Sequence, residues 1–240
     1  MQELKIAPRM KKKLGSFIKS LQGIFLDGLI SVILYGSAAS GEFVDNHSNL
    51  NILIVLKDTD PNILKKASKL IRKFPLFQAL FLNPGYIERS TDVFPIEFLD
   101  MKENYYILFG LDIIKDIKID LKNLRFQCEQ ELKAKMLNLR QLYLKLNGNK
   151  SALKTILLKS FTSILHIARN VLRLKGKTPA YKKEVILEDL AKEFPLDITI
   201  WRRILALRNR EEKIRNKEVE LLFVSFIREV GKISDIVDRL

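Results

Sequence analysis

Ser31-Val32-Ile33-Leu34-Tyr35-Gly36-Ser37-Ala38-Ala39-Ser40-Gly41, followed after six residues by Ser48-Asn49-Leu50-Asn51-Ile52-Leu53-Ile54-Val55-Leu56, outlines a strand, a turn of small residues and a second strand. The β-branched and apolar run Ser31–Tyr35 is halted by Gly36, as expected of a buried strand entering a turn. Gly36, Ser37, Ala38 and Ala39 keep bulk away from the backbone. Main-chain N–H groups and the Ser37 hydroxyl can therefore approach a phosphate there, and Gly36 and Ser37 are the candidate phosphate-contacting residues. By itself a Gly-Ser after a strand is an ordinary turn.

The second run adds to this. Leu50–Leu56 is almost wholly apolar, the pattern of a central strand covered on both faces. Asn49 and Asn51, two apart at its start, project to the same side of the sheet.

Gly-Ser, a second Gly, and Ser-x-x-x opening a strand together resemble the signature of the polymerase-beta-like nucleotidyltransferase superfamily. In that pattern the second element reads Ser-Asp-x-Asp. The match covers Val32–Leu56 and extends more loosely over the N-terminal half. The resemblance implies an α+β fold with a small mixed sheet flanked by helices. It also implies a nucleoside triphosphate and two magnesium ions, with transfer of a nucleotidyl group to a hydroxyl of a small molecule, protein or RNA. Ser37 maps to the triphosphate contact, and Asn49 and Asn51 map to the two metal-ligand positions. Both carry a neutral amide in place of a carboxylate, and an amide cannot offset a divalent charge. A third carboxylate is expected from a neighbouring strand. Val93-Phe94-Pro95-Ile96-Glu97-Phe98-Leu99 offers Glu97 in a strand-like setting, so Glu97 is the candidate catalytic and metal residue, with Asp100 close by. Pro95 is equally compatible with an edge strand whose Glu97 faces water.

Composition narrows the class. A chain of 240 residues, 47% hydrophobic, supports one large domain or two small ones with a packed core. No apolar stretch approaches the ~20 residues of a bilayer span, and Met1-Gln2-Glu3-Leu4-Lys5 lacks the apolar segment of a secretory signal, so a cytoplasmic protein without membrane contact is expected. The single cysteine, Cys128, reads as a packing residue. The net charge of +14 attracts polyanions, RNA and nucleotides among them. It is also what lysines scattered over solvated helix faces would give. The densest basic stretches are Lys11-Lys12-Lys13, Arg169 to Lys183 and Arg202 to Lys217, and they lack the interleaved aromatics of a single-strand stacking platform.

Along the chain, helical spacing is expected over Leu4–Phe25, ended by Asp27-Gly28, and over Asn62–Phe74, stopped by Pro75. The strand Phe77–Leu82 follows. Beyond residue 115 only helices are expected: Leu121–Leu146, Ser151–Lys175 with Ser151 as N-cap, Lys182–Phe194, Ile198–Arg210 and Lys217–Leu240. The expected organisation is thus a nucleotidyltransferase-like α/β domain over 1–115 and an antiparallel helical bundle over 116–240.

That layout resembles the kanamycin-type aminoglycoside nucleotidyltransferases, in which the helical part forms the second wall of the cleft. It is also similar to pairings of a minimal nucleotidyltransferase with a helical HEPN domain. HEPN ribonucleases use Arg followed shortly by His, and no His follows Arg208-Asn209. His47 precedes the motif and His166 lies within a helix, and neither has zinc or triad spacing.

Three functions follow from these observations. The first is a nucleotidyltransferase-fold protein with little or no transfer activity that retains nucleotide binding and offers its helical domain to a protein partner. The second is an active magnesium-dependent transferase in which Glu97, with Asp45, Glu42 or Asp100, rebuilds the metal site. The third is a basic RNA-binding or toxin–antitoxin-like module that uses the fold as a scaffold.

Overall fold

A computed structural model describes residues 6–40, 50–146 and 148–240, without the side chain of Ser37. The chain divides into two compact units, Met1–Asp120 and Leu121–Leu240.

The first unit is built on a four-stranded mixed sheet, ordered β3-β2-β1-β4. The strands are β1 Leu29–Tyr35, β2 Leu50–Leu56, β3 Phe77–Leu82 and β4 Tyr105–Gly110. β1 runs antiparallel to both β2 and β4, and β2 runs parallel to β3. β2 is therefore an interior strand, which is why it is apolar on both faces. Leu50, Ile52, Ile54 and Leu56 face one core together with Val32, Leu34 and Phe77. Helix α1, Pro8–Phe25, covers that face with Leu14, Phe17, Leu21 and Phe25, a stripe at helical spacing. Phe17 meets Phe74 and Phe77 edge-on, with ring centroids 5.2 and 5.1 Å apart. A short helix α2, Ser37–Ser40, follows β1.

The opposite face, with Ile33, Leu53 and Val55, is covered by Ile87 of α5 (Pro84–Ser90), Phe98 and Met101 of α6 (Pro95–Glu103), and Ile114 and Ile117 beyond β4. Ser31, buried in β1, donates its hydroxyl to the carbonyls of Phe109 and Leu111 and pins the end of β4. There Gly110 has φ +80°, and a Cβ on it would stand 1.9 Å from the carbonyl oxygen of Ile30.

Two expectations are corrected here. The segment Val93–Leu99 is not a strand: Pro95 opens helix α6, and Ile96, Phe98 and Met101 are its buried residues. Proline at the first helical position has its φ preset and no N–H to lose, so a helix start explains it as well as a strand edge does. The strand of this region is β4, an aromatic and β-branched run closed by a glycine. Asn62–Phe74 is also not one helix. It forms α3, Pro61–Lys65, capped by the Asp60 carboxylate, and then α4, Ser68–Lys73.

The second unit is helical: α7 Leu121–Lys145, α8 Lys150–Leu174, α9 Lys183–Glu193, α10 Ile198–Asn209 and α11 Asn216–Val237. Leu124, Cys128, Leu132, Met136 and Leu139 form the buried stripe of α7. α8 packs against α7, α9, α10 and α11, and its second half is buried nearly all round. Trp201 of α10 closes the core between Phe161 and Phe226. The N-cap of α8 is Asn149, whose side chain accepts from the Ala152 N–H, and not Ser151. Burial holds the Cys128 thiol up at about 12, as suits a packing residue.

Candidate functional site

The site starts where β1 stops. Gly36 takes φ +76°, and its N–H donates to the carbonyl of Asn104 at 3.1 Å, tying the turn to the entry of β4. Its own carbonyl accepts from the N–H groups of Ala39 and Ser40 at 2.9 and 3.0 Å, which winds the chain into α2. Ala38 is buried and anchors this turn on the core.

Asn51 stands beside the turn. A Cβ on Gly36 would lie 3.1 Å from Asn51 Nδ2, so the amide leans over a backbone with no side chain of its own. The sheet register fixes the company of Asn51. It pairs with Tyr35 of β1 and Gln78 of β3, and Tyr35 in turn pairs with Tyr105 of β4. Residues opposed across a ladder share a face. Gln78, Asn51, Tyr35 and Tyr105 therefore form a row across all four strands. Tyr35 and Tyr105 pack against the core of Leu53, Val55 and Phe98, so the row lies on the face covered by α5 and α6.

The electrostatics of the row come from its edge. Burial, and after it the charge of Asp100, push the Tyr35 phenol above its ordinary pKa. Tyr105 donates to Asp112 Oδ2 at 3.0 Å. Its pKa is raised by burial first, then by that hydrogen bond and by the charges of Asp112 and Asp116. Both phenols therefore stay protonated at neutral pH and serve as neutral hydrogen-bonding groups.

The expected third carboxylate is not on the strands beside β2. β1 reads Leu-Ile-Ser-Val-Ile-Leu-Tyr and β3 reads Phe-Gln-Ala-Leu-Phe-Leu. Glu97 is an exposed residue of α6. The α6 carboxylate whose field reaches Tyr35 is Asp100, three residues on. Asn49, the loop residues Glu42, Asp45 and His47, and the side chain of Ser37 lie outside the described residues. Among the described residues no group of three or more His, Cys, Asp and Glu is placed to hold a metal. The donor chemistry agrees with that geometry. Among the described residues of the row, Asn51 and Gln78 are amides and Tyr35 and Tyr105 are phenols, so these side chains do not by themselves fit a pair of magnesium ions. They can hydrogen-bond phosphate oxygens, sugar hydroxyls or a base edge.

Gln78, Tyr35 and Tyr105 could not be singled out from the sequence. Gln78 is the one polar residue of its strand, but only the register sets it beside Asn51.

The basic stretches also change character. Arg169 is 2% exposed, donates to the carbonyls of Pro179 and Ala180, and lies 3.9 Å over the Tyr181 ring. Arg173 is buried against Asn170. Arg203 pairs with Glu212 and Glu218, and Arg215 pairs with Glu218. Arg169 and Arg173 are thus internal, whereas most cations of the Arg202–Lys217 stretch stay exposed.

No family model matches the chain, and no curated protein matches it. Among solved structures it is similar to the spectinomycin adenyltransferase AAD(9) from Enterococcus faecialis, determined with ATP and spectinomycin. The TM-score is 0.61 at 16% identity, over 92% of this chain and 99% of that one. The fold is a nucleotidyltransferase fold. The matched region includes residues of both units, although few of the residues are identical. Among the described residues no helix is long and apolar enough to cross a membrane.

Proposed function

We propose that this chain is a nucleotidyltransferase-fold protein that binds a nucleotide at the Gly36–Asn51 edge of its sheet and transfers it poorly or not at all. The observation that carries the reading is the position of Asn51. It occupies a metal-ligand position of the motif, and its neighbours on both adjacent strands, Tyr35 and Gln78, are neutral as well. Two magnesium ions about 4 Å apart need several shared carboxylates, and exchanging the carboxylates for amides removes the charge that holds the metals while leaving hydrogen-bonding capacity in place. The Gly36 turn and Ser37 contact the phosphates, and Asn51 and Gln78 supply neutral polar contacts. The spectinomycin adenyltransferase was solved with ATP, which makes ATP the first nucleotide to try.

The active-transferase reading has one supporting observation, the proximity of Asp100 to Tyr35. A single carboxylate on a helix does not bridge two metals.

The test is titration calorimetry with ATP, GTP, CTP and UTP in magnesium and again in EDTA, beside an assay for pyrophosphate release. The expected outcome is binding of at least one nucleotide with an affinity that magnesium leaves unchanged, and no pyrophosphate. Magnesium-dependent binding with transfer abolished by Glu97→Ala or Asp100→Asn would establish the enzyme instead. Absence of binding to any nucleotide would leave the fold as a scaffold.

A further inference from the structure

The chain carries a net charge of +14, so a locally acidic recess stands out against it. One such recess lies in the first unit, where α5 and the segment after β4 enclose a groove of about 390 Å³. Its floor is apolar and continuous with the core, because Ile87 and Ile117 are buried core residues and Ile113 packs against them. Its rim carries Glu88, Asp116 and Lys118, two carboxylates to one amine. Among the described residues these three side chains form no ion pair or hydrogen bond, although the charge of Asp116 is felt at Tyr105. The groove includes none of the row Gln78, Asn51, Tyr35 and Tyr105.

An apolar floor of this size with a few convergent charged groups is the usual build of a small-ligand site, for which volumes of roughly 300 to 1,000 Å³ are common. Groups that neutralise one another internally would offer a ligand little. Here the carboxylates are left to an incoming partner, and the acidic rim within a basic molecule selects the sign of that partner.

We propose that this groove is a binding site for a small organic cation, an ammonium or guanidinium carried on an apolar body. The body lies on Ile87, Ile113 and Ile117 while the cation meets Glu88 and Asp116, and Lys118 sets an upper limit on affinity. The site is separate from the nucleotide edge and stands whether or not a nucleotide binds there.

The experiment uses the full chain labelled at isoleucine methyl groups, titrated by NMR with 2-phenylethylamine, its neutral isostere 2-phenylethanol and the anionic 3-phenylpropionate. The amine should give saturable shifts at Ile87, Ile113 and Ile117, and the alcohol should bind about two- to fivefold more weakly, as expected for partly exposed charge pairs. Glu88→Gln and Asp116→Asn should each weaken the amine by about two- to fivefold and leave the alcohol unchanged, while Lys118→Gln should tighten the amine by a similar factor. A structural role for these surface residues would not give opposite signs. Absence of saturable shifts, equal binding of amine and alcohol, or preference for the anion would each overturn the proposal.

Discussion

Gly36 and Asn51 are held so closely that a single methyl group on Gly36 would stand 3.1 Å from the Asn51 amide nitrogen. The contact joins the two halves of the motif: the turn after β1 and the opening of β2 meet because Tyr35 and Asn51 are register partners. Gly36 also sits at φ +76°, a conformation that favours glycine, and a Cβ there would press the Asn51 amide back by a few tenths of an ångström. Gly36→Ala should cost about 1 to 2 kcal/mol from the left-handed backbone alone, read as a lower urea midpoint, and should weaken nucleotide binding. Gly36→Ala/Asn51→Ala should recover the part due to the contact and none of the part due to φ.

Restoring acids tests whether the row is a displaced metal site. Asn49→Asp, Asn51→Asp and Gln78→Glu combined should make thermal stability respond to magnesium, with a rise in Tm that the natural chain lacks. Stabilisation by a ligand grows by about 1.4 kcal/mol for each tenfold of concentration above Kd, so a millimolar site is visible at tens of millimolar magnesium. If the triple variant ignores magnesium, the three side chains do not converge on a metal-sized volume.

Gly110→Ala is the most damaging small substitution expected in the first unit. Its Cβ would fall 1.9 Å from the Ile30 carbonyl oxygen, and φ is +80°. Relief requires β4 to move off β1, which also breaks the Ser31 hydroxyl contacts to Phe109 and Leu111. A loss of about 3 kcal/mol or more is expected, checked by chemical denaturation. An alanine at Gly15, which meets nothing within 4 Å, is the control.

In the helical unit, Glu218 gives stability an acid limb. Hydrogen bonds from the Arg215 side chain and backbone, together with the positive charges of Arg215 and Arg203, lower its carboxyl from 4.5 to about 2. Because the folded pKa is depressed, the stabilising contribution is present above pH 4.5 and is lost as pH falls through about 2. Glu218→Gln should therefore be less stable than the natural chain at neutral pH, and the gap should close on acidification through that window, as followed by circular dichroism. A gap independent of pH would mean that the carboxylate's charge contributes nothing to the start of α11.

Much of the architecture was legible in the sequence, and each part for a physical reason. β2 announced itself because an interior strand must be apolar on both faces, and Leu50–Leu56 is. The helices of the second unit were legible from periods near 3.6 and from their terminators. Glu97 was misplaced because Val93–Leu99 is too short for alternation to separate a strand from a helix, and Pro95 suits the start of either. Tyr105–Gly110 has strand composition, but an apolar run of that length does not separate a strand from a buried helix segment by periodicity alone.

What the sequence by itself determined is chemical identity. Asn49, Asn51 and Gln78 are amides whatever the chain does, so those positions carry no charge before folding begins. Only the tertiary structure decided which amide stands beside which. Strand order β3-β2-β1-β4 and a register that sets Gln78, Tyr35 and Tyr105 in line with Asn51 are long-range pairings, set by core packing on both faces of the sheet. A one-residue slip would turn that row to the other face, and no local pattern in Phe77–Leu82 or Tyr105–Gly110 encodes its partner.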